Sequence, residues 1–447
     1  MAIKQKRTFS SDRRVWSLIG IITLIAVLFI PFSQIALGVT YSYTLRAVAI
    51  GGAILGVVSG VLGCFAVLRQ QSLMGDALSH AALPGVAIAF LLVGRELGAL
   101  LIGAGIASWL GVLFIGAITR TTRIKQDAAM GIVLAAWFAA GIALLAYIQA
   151  RPDASQAGLD AFIFGQAAAM VESDVQLITI VGFITFVIIA LFWKEFKLIT
   201  FDPEFAGANG FRVGIINTLL STLIVVAIIL GLQLAGVILM VGMLIAPGIA
   251  ARQWTHKLDQ MVILSAVFGA FAGGTGAIIS AVDADIPTGP MIIVVAFALV
   301  IISLTFAPER GLLWRWLRER QDRRRFAAQT TLLDIYRYAK SHGGTDTPVP
   351  HKFIVGLHKG TAKLGLKQLL HERKIMQLPD EDQWYLTAAG MQSAQGHEYN
   401  HQLWETYRQY GHELNLPLIK IDYQIDIREL LPKNAIRQLE DKLEGII

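Results

Sequence analysis

The sequence predicts an all-α polytopic membrane protein of about ten transmembrane helices, followed by a small soluble α+β domain. Three observations carry this. Of 447 residues, 55% are hydrophobic and only 16% charged, whereas soluble domains carry about 25% charged residues. Apolar runs recur at about 20 residues, the length a helix needs to cross a hydrocarbon core. After Pro308 the composition turns abruptly basic and then mixed. Four regions follow: a basic cytoplasmic N-terminus (1–14), a transmembrane region (15–308), a basic juxtamembrane linker (309–326) and a cytoplasmic soluble domain (327–447).

Taken in order, Lys4, Lys6, Arg7, Arg13 and Arg14 precede the apolar Val15–Leu37. That run is long for a signal peptide and many more follow, so it reads as a retained first helix. The expected spans are 16–37, 44–68, 72–94, 97–118, 128–149, 175–193, 213–232, 234–251, 260–282 and 288–307. If each crosses, Arg69, the group Arg120, Arg123 and Lys125, the pair Lys194 and Lys197, the pair Arg252 and Lys257, and Arg310 share one side. The opposite connections, Arg95-Glu96, Arg151–Asp174 and Asp283–Thr288, are poor in basic residues. The positive-inside rule then puts both termini in the cytoplasm. The net charge of +6 therefore belongs to membrane flanks rather than to a nucleic-acid surface. Two segments are open to a re-entrant path: 72–94, which Pro84 is expected to interrupt, and the tight pair at 213–251. Cys64, alone in the chain, allows no internal disulfide and reads as a small buried residue. Gly51, Gly52, Gly56, Gly60 and Gly63 suit close helix packing.

Gly75–Gly85 carries the chemistry. Asp76 and His80 are four apart, hence on one face of a helix. An acid and an imidazole in apolar sequence need a partner, a wet cavity or an ion. Either they tie helices together or they form an ion site. Ser79 is a candidate hydrogen-bond partner, and broken membrane helices build ion sites elsewhere. Between two spans, Phe201–Gly210 is predicted to hold a short helix opened by Asp202-Pro203 and closed by Gly207 or Gly210. It is a connector, or a surface on which a motor subunit pushes. The acids of Asp283–Pro290 are solvated loop residues or help to collect cations near the entrance, and the solvated reading is preferred.

Beyond Pro308, seven arginines from Arg310 to Arg325, with Trp314 and Trp316, suit the inner membrane surface and its anionic lipid. Thr330–Ser341, Thr361–Lys374 and Met391–Leu414 are predicted helices. His342–Pro350 is a turn cluster, and Ile375–Leu386 holds two short strands around Pro379–Gln383. Helices followed by a small hairpin suggest a winged helix.

Residues 44–307 resemble the permease subunits of metal-ion ABC importers, which move manganese, zinc or iron. The stretches that carry the resemblance are Leu73-Met-Gly-Asp-Ala-Leu-Ser-His-Ala-Ala-Leu-Pro-Gly85, Lys125–Ile132, Ala235-Gly-Val-Ile-Leu-Met-Val-Gly-Met-Leu-Ile-Ala-Pro247 and Asp285-Ile-Pro-Thr-Gly-Pro290. The resemblance implies a bacterial inner-membrane protein that pairs with a second permease copy or a homologous permease. It implies separate ATPase subunits inside and an extracytoplasmic metal-binding protein outside. It makes Asp76 and His80 candidate metal ligands, and Asp202, Pro203, Glu204, Ala206, Gly207 and Gly210 a candidate coupling helix. No permanently bound cofactor is expected, only the transported cation. The tail is similar, over Leu366–Met376, Tyr385–Gly390 and His401–Glu405, to winged-helix repressors of the diphtheria-toxin-repressor type. That similarity implies His401 and Glu405 as tail metal ligands, though Pro432–Leu443 supplies Glu440 and Asp441 and no histidine.

The chain has no G-x-x-x-x-G-K-(S/T) loop, so the energy for transport comes from a partner ATPase or an ion gradient. No nucleophile–base pair stands out, and no enzymatic activity is expected. Two rivals to the importer permease are a secondary cation transporter with a regulatory tail and a membrane-tethered, metal-responsive DNA-binding regulator. For the latter, Lys352, Lys359, Lys363 and Lys367 are phosphate contacts or simply a solvated face; the solvated face is preferred, and nucleic acid is not an expected partner.

Overall fold

The computed structural model describes residues 2–36, 42–150, 170–283, 286–308, 310–344, 347–357, 360–377, 382–423 and 425–445. Most of the expected outer connection at 151–174, Asp285, Lys359 and most of the turn at 379–383 lie outside the described residues. The chain divides into two compact units, Met1–Trp314 and Arg315–Ile447.

The first unit is helical: α1 (Ala2–Ala36), α2 (Tyr43–Leu68), α3 (Leu73–Val93), α4 (Leu97–Thr121), α5 (Gln126–Gln149), α6 (Glu172–Leu191), α7 (Trp193–Phe201), α8 (Pro203–Ala208), α9 (Val213–Arg252), α10 (Leu258–Ser280) and α11 (Thr288–Phe306). Among the described residues, nine helices are long and apolar enough to cross a membrane. The expected tenth span, 234–251, is instead the shorter apolar segment Met240–Arg252 of α9. The reason is a kink at Gly236, whose φ of 75° and ψ of 171° suit only glycine. The Met240 side chain fills the notch at Gly231, so the chain folds back on itself there.

α2 is the axis of this unit. Ser42 caps it by accepting from the Leu45 amide at 3.3 Å. Its glycines face α10 with no side chain between: a Cβ on Gly52, Gly56 or Gly60 would overlap the carbonyl of Gly273, Gly269 or Ser265. The Ser265 hydroxyl donates to the Gly60 carbonyl at 2.8 Å within the same seam. Gly63 meets Leu244 of the returning half of α9 in the same way. At the far end Phe65 takes Trp193 and Phe196 of α7 edge-on, at 6.1 and 6.0 Å. α1 is peripheral: only 11% of its apolar window is buried, against 72% for α2.

Pro84 does not interrupt α3, which runs unbroken from Leu73 to Val93. Proline removes one internal hydrogen bond, but neighbouring helices can support a membrane helix at such a point. Here α5 brings Gly141 against the Pro84 ring, and Gly85 and Gly103 put the backbones of α3 and α4 in contact.

The second unit begins within α12 (Leu312–Ser341) and continues as β1 (Val349–Pro350), α13 (His351–Leu357), α14 (Ala362–His371), β2 (Ile375–Gln377), β3 (Gln383–Leu386), α15 (Ala388–Tyr410), α16 (Ile427–Leu430) and α17 (Lys433–Glu444). The basic linker and the first expected tail helix are thus one helix, since no glycine or proline stands between 312 and 341. The antiparallel sheet has the order β1-β3-β2, with Val349 opposite Trp384 and Met376 opposite Tyr385. Strand β1 lies inside the expected turn cluster. Leu332, Ile335, Ile354, Leu366, Leu369 and Trp384 form one core, and Trp404, Tyr407, Leu439 and Leu443 belong to a second.

Candidate functional site

α3 presents Asp76 and His80 one turn apart, with His80 Nε2 3.2 Å from Asp76 Oδ1. Both are partly open: the side chains are 38% and 20% exposed, while Ala77, Leu78 and Ser79 beside them are buried. The ring of His80 stands edge-on to Phe138 of α5 at 4.9 Å. Its Nδ1 is buried without a hydrogen-bond partner, as is the Ser79 hydroxyl. Ser79 therefore does not orient His80, contrary to expectation. Ser108 of α4 donates instead to the Leu78 carbonyl at 2.9 Å, fixing α3 from behind. Gly75 lets Val241 and Leu244 of α9 close in beneath the Asp76 turn.

A carboxylate and an imidazole suit a borderline divalent cation. Among the described residues no cluster of three or more His, Cys, Asp or Glu could hold a metal. Among the described residues this turn thus brings two such donors together.

The segment after α7 is built as its sequence demands. Asp202 caps α8, accepting from the Phe205 amide at 2.9 Å, and Pro203 occupies the first turn. Gly210, at φ 84°, takes the chain out. Asp202, Pro203, Glu204, Gly207 and Gly210 are exposed, but Ala206 is fully buried and packs inward. The sequence reading passed over Phe201 and Phe205, which are 59% and 56% exposed on this segment. Aromatic residues in a polar connection were the available signal.

In the tail, His401 and Glu405 sit on α15 with side-chain partners already in place. His401 stacks on Tyr423 at 5.0 Å. Glu405 accepts the Tyr423 hydroxyl at 2.7 Å and pairs with Arg408 at 2.5 Å. His397, one turn before His401, shares a small pocket with it and with Asp334 of α12. Burial, with the Lys374 charge, holds the His397 imidazole below its ordinary range, Glu372 partly opposing this.

Residues 40–307 match the ABC 3 transport family. The chain belongs to this family. It is a transport permease. As an ABC 3 member it is similar to the manganese transport system membrane protein MntC of Bacillus subtilis, at 38% identity over 395 residues, 88% of this chain and 90% of that protein. Residues 1–307 cannot contain a match of that length, so it extends well into the tail. The zinc transport system membrane protein TroC of Treponema pallidum is 44% identical over 280 residues, 62% of this chain and 94% of that protein. A solved structure, PsaBC from Streptococcus pneumoniae in complex with Fab, matches at 32% identity with a TM-score of 0.55, covering 66% of this chain and 99% of that one.

Proposed function

We propose that this ABC 3 permease forms the membrane pathway of an importer for divalent metal ions, with manganese and zinc as the leading cargoes. One observation carries the reading: a carboxylate and an imidazole 3.2 Å apart on an apolar helix, in a chain whose relatives are manganese and zinc permeases. Lipid would not tolerate that face, so it lines the axis between two permease copies. Two copies bring up to four donors to one cation. Carboxylate and imidazole tolerate manganese, iron and zinc alike, so discrimination falls chiefly to an extracytoplasmic binding protein.

Energy comes from separate ATPase subunits, docked on the exposed Asp202–Gly210 segment. The residues that touch the ATPase there are Glu204, Phe205 and Gly207, while Ala206 anchors the helix to the bundle. Both termini are cytoplasmic, as the charge asymmetry requires. The tail is a winged helix, supported by its order of helix, strand, two helices and two strands and by the β1-β3-β2 sheet. It tunes transport or assembly and does not carry the ion. In this reading Glu405, engaged by Tyr423 and Arg408, and His401, stacked on the Tyr423 ring, serve its packing.

The test is metal content. Cells lacking the chain should lose high-affinity accumulation of manganese or zinc and regain it on complementation, and the purified chain should carry its ATPase with it. Unchanged content of both metals and of iron removes the proposal; transport that persists without the ATPase favours a gradient-driven carrier.

A further inference from the structure

Far from the Asp76 turn along the chain, a groove of about 470 Å3 runs between the first turns of α2 and α6. Its mouth is polar, with Tyr43 and Arg46 on α2 and Glu172 and Gln176 on α6; its floor includes Ile50 and Ile180. Tyr43, Arg46 and Ile50 share one face of α2 at spacings of three and four. Ile50 lies about 6 Å and Ile180 about 12 Å beyond the charged residue of its own helix, at 1.5 Å per residue. Both isoleucines are more than half exposed. The groove is therefore charged at one end and mainly apolar farther along, between two helices apolar enough to cross a membrane.

The two charges at the mouth do not neutralise each other. Glu172 accepts the Tyr43 hydroxyl at 2.8 Å through Oε2, which leaves Oε1 with free lone pairs. Arg46 pairs with neither Glu172 nor any other described residue. An arginine on an apolar span calls for an anion, and its planar fork fits a phosphate. The adjacent free carboxylate calls for a cation that donates hydrogen bonds. A phosphate and a primary ammonium a few bonds apart, on a body with long acyl chains, meet all three demands. We propose that this groove binds a zwitterionic phospholipid of the ethanolamine type, its phosphate on Arg46, its ammonium on Glu172 and an acyl chain along Ile50 and Ile180. A choline headgroup has no N–H to give Glu172. A glycerol headgroup leaves the carboxylate facing the phosphate without a counter-charge.

The full chain, purified with its ATPase subunits, is placed in nanodiscs of phosphatidylethanolamine, phosphatidylcholine or phosphatidylglycerol. Lipid retained through release into the gas phase is then counted by native mass spectrometry. Phosphatidylethanolamine should be retained about tenfold over the other two. Glu172→Gln should erase the preference for ethanolamine over choline, while Arg46→Ala should lower retention of every phospholipid. Ile50→Trp fills the floor without touching a charge and should also release the lipid; it covers the case in which a charge variant fails to fold. Equal retention of the three lipids overturns the proposal, as does a preference that survives Glu172→Gln. So does a folded Ile50→Trp protein that holds lipid like the wild type, or an Ile180→Cys protein that cross-links quantitatively to a second copy and so reveals a protein occupant.

Discussion

His80 Nε2 lies 3.2 Å from Asp76 Oδ1, while the other nitrogen of the same imidazole is buried and unpartnered. The pair is thus held by itself and by Phe138 rather than by a surrounding hydrogen-bond network. Asp76→Asn keeps the shape of the site and removes one charge per chain; His80→Ala removes a nitrogen donor. Each should lower radiometal accumulation in cells by tenfold or more, on the order expected for losing a ligand, with insertion and ATPase assembly unchanged. Wild-type accumulation by Asp76→Asn would end the assignment.

Coupling is tested on the exposed helix α8. A Cβ at Gly207 would come no closer than 3.9 Å to Val213, so a bulky residue there projects outward without disturbing the bundle. Glu204→Arg with Gly207→Leu should leave a folded protein whose ATPase no longer drives uptake. Phe205→Ala should weaken ATPase co-purification. Ala206→Asp should act differently: it buries a charge and lowers the yield of folded protein. Normal uptake by the double variant would exclude α8 as the coupling surface.

The seam between α2 and α10 sets a limit on substitution. Gly56→Leu has nowhere to go, because the Gly269 carbonyl occupies the space. The expected cost is about 3 kcal/mol or more, read as loss of monodisperse protein in a thermal series. Gly20→Leu, where nothing lies within 4 Å of the added carbon, serves as the tolerated control.

The tail should sense acid through His397. Its folded imidazole sits below the ordinary range while the unfolded one does not, so the unfolded chain takes up the proton first. Stability from this residue is complete above the unfolded value of about 6.5 and is lost as pH falls toward the folded value. The melting temperature of the tail, followed by tryptophan fluorescence, should therefore drop as pH falls below about 6.5. His397→Gln should flatten that slope. A chain ended near Gln321 should insert and retain some uptake; full loss with normal assembly would make the tail obligatory.

Much of the molecule was legible in the sequence because membrane spans are written in composition. The Asp202 cap and Pro203 were legible because capping is local. What escaped depends on neighbours distant along the chain. Pro84 reads as a break until Gly141, 57 residues on, comes to support it. The contact between Glu405 and Tyr423, 18 residues on, is likewise invisible in the sequence. Gly236 is one glycine among many until its dihedrals single it out. Phe201 and Phe205, aromatic residues in a polar connection, carried a signal that only their exposure makes plain.

The kink in α9 has a mechanical consequence. The helix starts at Val213, five residues beyond the end of the exposed helix α8. After turning at Gly236 it brings Val241 and Leu244 under Gly75, one residue from Asp76. On the proposed coupling at α8, a continuous stretch of chain runs from the docking segment to Val241 and Leu244, whose non-covalent packing on Gly75 makes the last step to the turn that carries the carboxylate. Under that proposal a movement at α8 would reach the Asp76 turn through this packing, with the bend at Gly236 setting how much of it is passed on.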